Sequence, residues 1–152
     1  MTNSRVSTDY AGRKIDLLSM DVDTSADSQQ RVPLSFGSEQ RAIAGVQQAT
    51  QAFVSLLLTK RGSVNGISLG TDFLTYLVTR NPRTEAEVRN YFQLTAPVAA
   101  QQINQTAEAE DERISGTDLI SAEVSHDRIA LRVRVTTEAG ETADVLAPIR
   151  GV

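Results

Sequence analysis

The chain has 152 residues, which is enough for one ordinary domain with a sizeable buried core. Its net charge of −4, with both signs interspersed, argues against a nucleic-acid partner, and the absence of cysteine excludes disulfides and thiol chemistry. No apolar run reaches the ~18–20 residues of a membrane span, and the first residues lack the apolar stretch of a secretory signal. We therefore expect a protein that is made and first used in a cytoplasm, without a membrane partner.

The N-terminal part of the sequence is polar. Residues 1–30 contain one apolar cluster, and they are predicted to form an extension to a single domain at residues 31–152. Residues 21–27 begin like a calcium-binding loop, but Ala26 and Val32 stand where such a loop needs glycine and glutamate, so we expect no metal there. Residues 31–36 are a candidate edge strand, because a proline in this segment lacks the N–H group that a central strand needs.

Two helices are predicted on either side of a glycine-containing turn. The first runs from about Ser38 to Leu58, with Ser38 as its N-cap and apolar residues at three- and four-residue spacing. Gly62 is a natural stop for this helix. The second is short, carries the apolar residues of the segment 73–78, and ends before Pro82.

A third helix begins at a capping box. Thr84 and Glu87, three residues apart, are the two side chains of this motif. Pro97 is expected to interrupt the helix, which would restart with Thr95 as its cap and run to about Glu112. Its second half has few large apolar residues, and a helix of this kind often contacts other chains.

The C-terminal third has the period of β-strands. Residues 128–136 alternate, with apolar side chains on one face and Arg132 and Arg134 on the other. Shorter segments at 118–124 and 142–146 are predicted to flank this strand as a three-stranded antiparallel meander. The fold class is therefore α+β, with a helical N-terminal half packed on the meander.

Three glycines spaced four apart, Gly62, Gly66 and Gly70, are predicted to form a structural elbow between the first two helices. The last five residues of this elbow match the Gly-x-Ser-x-Gly pattern of serine hydrolases around Ser68. Candidate triad partners follow in the hydrolase order, namely Asp111 or Asp118 and then His126. A hydrolase elbow follows a buried strand of a parallel sheet, whereas a helix precedes this one, so Ser68 is predicted to be a loop serine. His126 has no second histidine to share a zinc site.

Two signatures in this order resemble one protein family. The first comprises Leu57-Leu58-Thr59, Gly62 and Leu69-Gly70-Thr71, and the second is Asp111-Glu112-Arg113-Ile114, between a polar helix and the meander. Over about residues 31–149 the chain resembles the tail-lysozyme-like baseplate wedge family of contractile-tailed phages, which has relatives in type VI secretion and other contractile injection baseplates. It departs from the family pattern where Ser63 replaces a glutamate and Glu112 replaces a proline.

The resemblance implies a structural subunit that is not an enzyme and needs no cofactor. Such a subunit lies in the baseplate of the virion tail, is assembled in the host bacterial cytoplasm, and is the platform on which the first sheath ring assembles. The implied partners are other baseplate wedge proteins and the tail sheath protein, with hub or tube proteins as further candidates. The implied assembly holds several copies in a symmetric, six-fold arrangement.

The residues predicted for partner contacts form two groups. The first is Asp111, Glu112, Arg113 and Ile114, and the second is Arg132, Arg134 and Val145. Arg113, with Asp111, is expected to anchor the polar helix into the wedge core through an ion pair. The strands at 128–136 and 142–146 are expected to form the platform for the sheath, in which an edge strand accepts an extended arm of a neighbouring subunit by β-augmentation.

Two enzymatic alternatives accompany this interpretation. One is a serine hydrolase that uses Ser68. The other is a cell-wall glycosidase, because the family name carries an association with lysozyme. A glycosidase needs two carboxyl groups held ~5–9 Å apart, and no pair stands out among the nineteen acidic residues.

Overall fold

The computed structural model describes residues 14, 16–17, 42–63 and 68–150. Its elements in chain order are β1 (Asp16–Leu17), β2 (Ala42–Ile43), α1 (Val46–Leu57), α2 (Phe73–Arg80), α3 (Glu85–Asn104), β3 (Ile114–Val124), β4 (Arg128–Thr137) and β5 (Thr142–Arg150). The helices precede an antiparallel sheet of order β3-β4-β5, which confirms the predicted α+β class. The candidate strand at 31–36 and the calcium-like loop lie outside the described residues.

Helix α1 is shorter than predicted. It begins at Val46 instead of Ser38, because β2 pairs with β1 and Gly45 at the N-cap has a φ of +67° that no helix residue adopts. The predicted C-terminus is correct to one residue. The face that carries Phe53, Val54 and Leu57 is almost completely buried.

Helix α3 opens with the predicted capping box and does not break at Pro97. The Thr84 hydroxyl accepts from the Glu87 N–H at 3.3 Å, and the Glu87 carboxylate accepts from the Thr84 N–H at 3.4 Å. The helix continues through Pro97, which is exposed, and ends at Asn104 rather than near Glu112. Thr95 is not a cap, because its hydroxyl donates to the Tyr91 carbonyl inside the helix. The buried positions on the core side of α3 recur on both sides of Pro97, so packing keeps the helix continuous.

The sheet has one apolar face, which packs on the helices. Its buried residues include Ile129, Leu131, Val133, Val135, Val145 and Ala147. Helix α1 packs against β4 and β5, and α3 packs against β3. Both outer strands are longer than predicted, because β3 begins at Ile114 and β5 continues to Arg150.

Three phenylalanines join the helices inside the core. The Phe92 ring lies edge to face with the rings of both Phe53 and Phe73, with 6.3 Å between centroids in each pair. Since these rings come from α3, α1 and α2, one cluster fixes the three helices relative to each other.

Candidate protein-binding site

The elbow between α1 and α2 is closed by backbone hydrogen bonds. The Thr71 N–H donates to the Thr59 carbonyl at 2.9 Å, and the Arg61 N–H donates to the Thr71 carbonyl at 3.1 Å. The Thr71 hydroxyl donates to the Leu57 carbonyl at 2.8 Å. Thr71 therefore ties the end of α1 to the residues before α2, so the first signature forms a joint within the chain.

Gly70 is required at the base of this elbow. Its φ is +98°, and a Cβ atom built there would lie 2.3 Å from the Thr59 carbonyl oxygen. The Gln102 side chain of α3 makes two hydrogen bonds to Gly70, one to its N–H and one to its carbonyl, both 3.0 Å long. Gly62 also has a positive φ, whereas Gly66 lies outside the described residues. The predicted structural role of the glycines thus has a physical basis at Gly62 and Gly70.

Ser68 lies in an environment unlike that of a hydrolase nucleophile. It is exposed in the elbow, which follows helix α1, and the three-stranded sheet of the domain is antiparallel. His126 is exposed in the turn between β3 and β4. Among the described residues, no three acidic or histidine side chains are grouped closely enough to hold a metal ion.

The second signature is held by the end of α3. The Asn104 side-chain carbonyl accepts from the Ile114 N–H at 2.8 Å, and the Asn104 amide donates to the Ile114 carbonyl at 2.9 Å. One Nη atom of Arg113 donates to the carbonyls of Asn104 and Ala107 at 3.0 and 3.1 Å, and its Nε donates to Glu138 at 3.1 Å. Arg113 therefore caps the C-terminus of α3, where a cation is favourable.

Glu112 is buried at 2% exposure, and it accepts a hydrogen bond of 2.9 Å from the backbone N–H of Lys14. The ammonium group of Lys14 also donates to the hydroxyl of Thr106. Part of the predicted N-terminal extension is thus fixed to the junction of α3 and β3. Asp111 is half-buried. The expectation that Asp111 and Arg113 together anchor the polar helix in a baseplate wedge stays a prediction.

The two arginines of β4 bind one acidic residue on the outer face of the sheet. Arg134 donates to both carboxylate oxygens of Asp144 at 2.6 and 2.9 Å, and Arg132 donates to Asp144 at 3.1 Å. The Asp144 side chain is only 6% exposed, although it faces away from the core, because the two guanidinium groups cover it. Arg132 and Arg134 remain 23% and 30% exposed, so their outer surfaces stay accessible.

Val145 lies on the other face of β5, in the core, with 1% of its surface exposed. The side chain of Val145 is therefore part of the core and offers no surface to a partner in this structure. β5 pairs with β4 along its length, and it has no second neighbouring strand in the described part of the chain. The backbone groups on its outer edge are the feature of this region that an extended segment could bind.

Sequence reasoning missed three residues that organise these regions. Gln102 and Asn104 were part of a helix described only as polar, and Asp144 was not singled out within its strand. A signal existed for Asp144, because arginines at alternate positions on one strand face favour an acid on the neighbouring strand. Single amide side chains that bind distant backbone have no comparable pattern in a sequence.

No helix in the described segments is long and apolar enough to span a bilayer.

Comparisons of the chain with models of known protein families, with curated proteins and with solved structures find no match.

Proposed function

We propose that this chain is a structural subunit of a contractile-tail baseplate wedge, which links other wedge proteins to the first ring of the tail sheath. The proposal rests on the two sequence signatures and on one structural observation, the outer edge of β5. In this proposal the subunit is present in several copies in a six-fold baseplate and has no catalytic activity.

The edge of β5 is suited to accept a strand from another subunit. Nine residues are extended from Thr142 to Arg150, and the outer edge of this strand has no neighbouring strand in the described part of the chain. Pro148 lies near the C-terminal end of the strand and lacks an N–H group, so a partner strand would pair mainly with residues 142–147.

The outer face next to this edge can recognise side chains of the same partner. It contains the Arg132–Asp144–Arg134 cluster and the half-buried Leu146, which pairs with Arg132 across the strands. Main-chain hydrogen bonds would supply affinity, and these side chains would select the partner.

The first test is the location of the chain in the cell that produces it. A lysate is separated on a density gradient, and each fraction is examined by mass spectrometry and negative-stain electron microscopy. Near-stoichiometric co-migration with tail or baseplate particles is expected. Recovery only as a free species of 16.5 kDa, absent from every particle, would refute the structural role.

A pair of variants tests the β5 edge itself. Leu146→Glu places a charge beside the edge, whereas Leu94→Glu places the same charge at a residue of α3 that is 65% exposed. Both variants are expected to unfold at the temperature of the parent protein, but only Leu146→Glu should fail to enter particles. Equal incorporation of the two variants would show that the β5 edge is not the contact.

The absence of catalysis is tested on the purified chain. We expect no labelling by a fluorophosphonate probe and no release of fragments from peptidoglycan. Labelling that disappears in Ser68→Ala would favour the hydrolase alternative. Muramidase activity that one carboxylate substitution removes would favour the glycosidase.

A further inference from the structure

Helix α2 carries an apolar surface that the proposed sheath contact does not use. Val78 is 66% exposed, the highest exposure among the large apolar side chains of the described residues, and Leu74 lies one helical turn before it. We call Leu74 and Val78 the Val78 strip. We propose that this strip binds an acidic, apolar-containing segment of a protein partner.

Two grooves meet at the Val78 strip. One, of about 670 Å³, lies between the α2–α3 corner and the β3–β4 turn, where Val78, Pro82, Arg83, Val124 and His126 line it. The other, of about 260 Å³, runs along α2 beside Lys60 and contains both residues of the strip. A bound segment can therefore cross Val78 from one groove to the other, with an apolar side chain over the strip.

The charged side chains that line the two grooves are positive. Lys60 lines the groove beside Leu74, and Arg83 lines the groove beside Val124. Both are exposed, and neither side chain has an ion pair with a described residue. No acidic side chain of the described residues lines either groove, and Asp72, at the N-cap of α2, is the acid closest in sequence to Leu74. Asp127 is exposed beside His126 and is the opposing charge at the turn.

This pattern selects the chemistry of the partner. The whole chain has a net charge of −4, so two unpaired cations in grooves that no described acid lines are a local departure from its average. Carboxylates that flank one or two apolar side chains would complement Lys60 at one end and Arg83 at the other. A nucleic acid would match the charge but would leave the apolar strip unused.

The test uses the purified full chain and two synthetic peptides. The peptides share the same leucine positions and differ only in carrying glutamate or lysine elsewhere. Backbone resonances are followed by NMR during each titration. We expect the glutamate peptide to shift the resonances of Leu74, Val78 and Arg83, and the lysine peptide to shift none of them. Added salt should weaken the binding.

Two variants and one control define the surface. Val78→Asp and Arg83→Glu are each expected to lower the affinity for the glutamate peptide about tenfold, since each places a negative charge on the surface that binds it. Leu94→Asp is the matched control, because Leu94 is 65% exposed and lies on another helix. The Leu94→Asp variant should bind the glutamate peptide with the same affinity as the parent protein.

Several outcomes would overturn the inference. They are equal binding of both peptides, shifts that map to Arg132 and Arg134 instead, and an affinity that Val78→Asp leaves unchanged. A concentration-dependent dimer that Val78→Asp abolishes would identify a second copy of this chain as the occupant and would also refute a separate partner. None of these measurements depends on tail particles, so they leave the proposed baseplate role unaffected.

Discussion

Replacing Gly70 with alanine is expected to destabilise the chain strongly, and Gly62→Ala provides the matched comparison. Both glycines belong to the elbow, and both have a positive φ, of +98° and +77°. A Cβ at Gly62 meets no atom within 4 Å, whereas one at Gly70 lies 2.3 Å from the Thr59 carbonyl oxygen. The pair therefore separates backbone strain from steric overlap.

The expected magnitudes follow from this difference. At Gly62 only the left-handed conformation matters, which costs about 1–2 kcal/mol for a residue with a Cβ. At Gly70 the same strain applies, and the overlap with backbone also forces Thr59 away from Thr71. Shifting residue 70 to relieve the overlap also disturbs its two hydrogen bonds with Gln102, so two or three hydrogen bonds are lost in total, at about 1 kcal/mol each. The total for Gly70→Ala is about 3–5 kcal/mol, a large fraction of the stability of an ordinary domain.

The assay is urea unfolding followed by far-ultraviolet circular dichroism, since the chain has no tryptophan. The free energy of unfolding is compared for the parent and both variants. The comparison requires that this free energy depends on urea concentration with the same slope in all three proteins. Gly70→Ala should lose at least about twice as much stability as Gly62→Ala. Equal losses would refute the close approach of Gly70 to Thr59.

Four further predictions concern side chains. Gln102→Ala should cost about 2 kcal/mol in urea unfolding, because two backbone groups lose their partner, whereas the exposed neighbour Gln101→Ala should cost less than about 0.5 kcal/mol. Asp144→Asn should cost about 2–3 kcal/mol even in high salt, since the carboxylate is buried under two arginines. Glu85→Gln, in an exposed pair with Arg89, should cost at most about 0.5 kcal/mol. Arg113→Ala should lower the melting temperature of the isolated chain, and an unchanged value would contradict its capping of α3.

The predicted elements were most accurate where local chemistry and packing agree. The capping box at Thr84 and the alternation of β4 both describe the structure to within one residue. Pro97 shows the opposite case. A proline within a helix favours a break, but the core contacts of Phe92 and Ile103 on either side of it outweigh the loss of one hydrogen bond. The sequence alone does not show that the free energy of core packing exceeds the cost of the lost hydrogen bond.

The start of α1 could not be predicted for a related reason. Ser38 has the right side chain for a cap, and the apolar spacing supports a long helix. The structure uses Ala42–Ile43 to pair with Asp16–Leu17 instead, and the helix begins only after Gly45. A contact between segments so far apart in the sequence has no local signature.

The two signatures of the chain meet at the C-terminal half of α3, and this bears on what they signify. Gln102 binds Gly70 of the first signature, and Asn104, two residues later, binds Ile114 of the second. Arg113 caps the same helix from the other side. Residues so fully engaged within the chain stabilise the fold, because their loss leaves buried polar groups unpaired. Both signatures therefore stabilise the fold of this chain, and contacts with partners are better sought on surfaces that the fold leaves unused, the β5 edge and the Val78 strip.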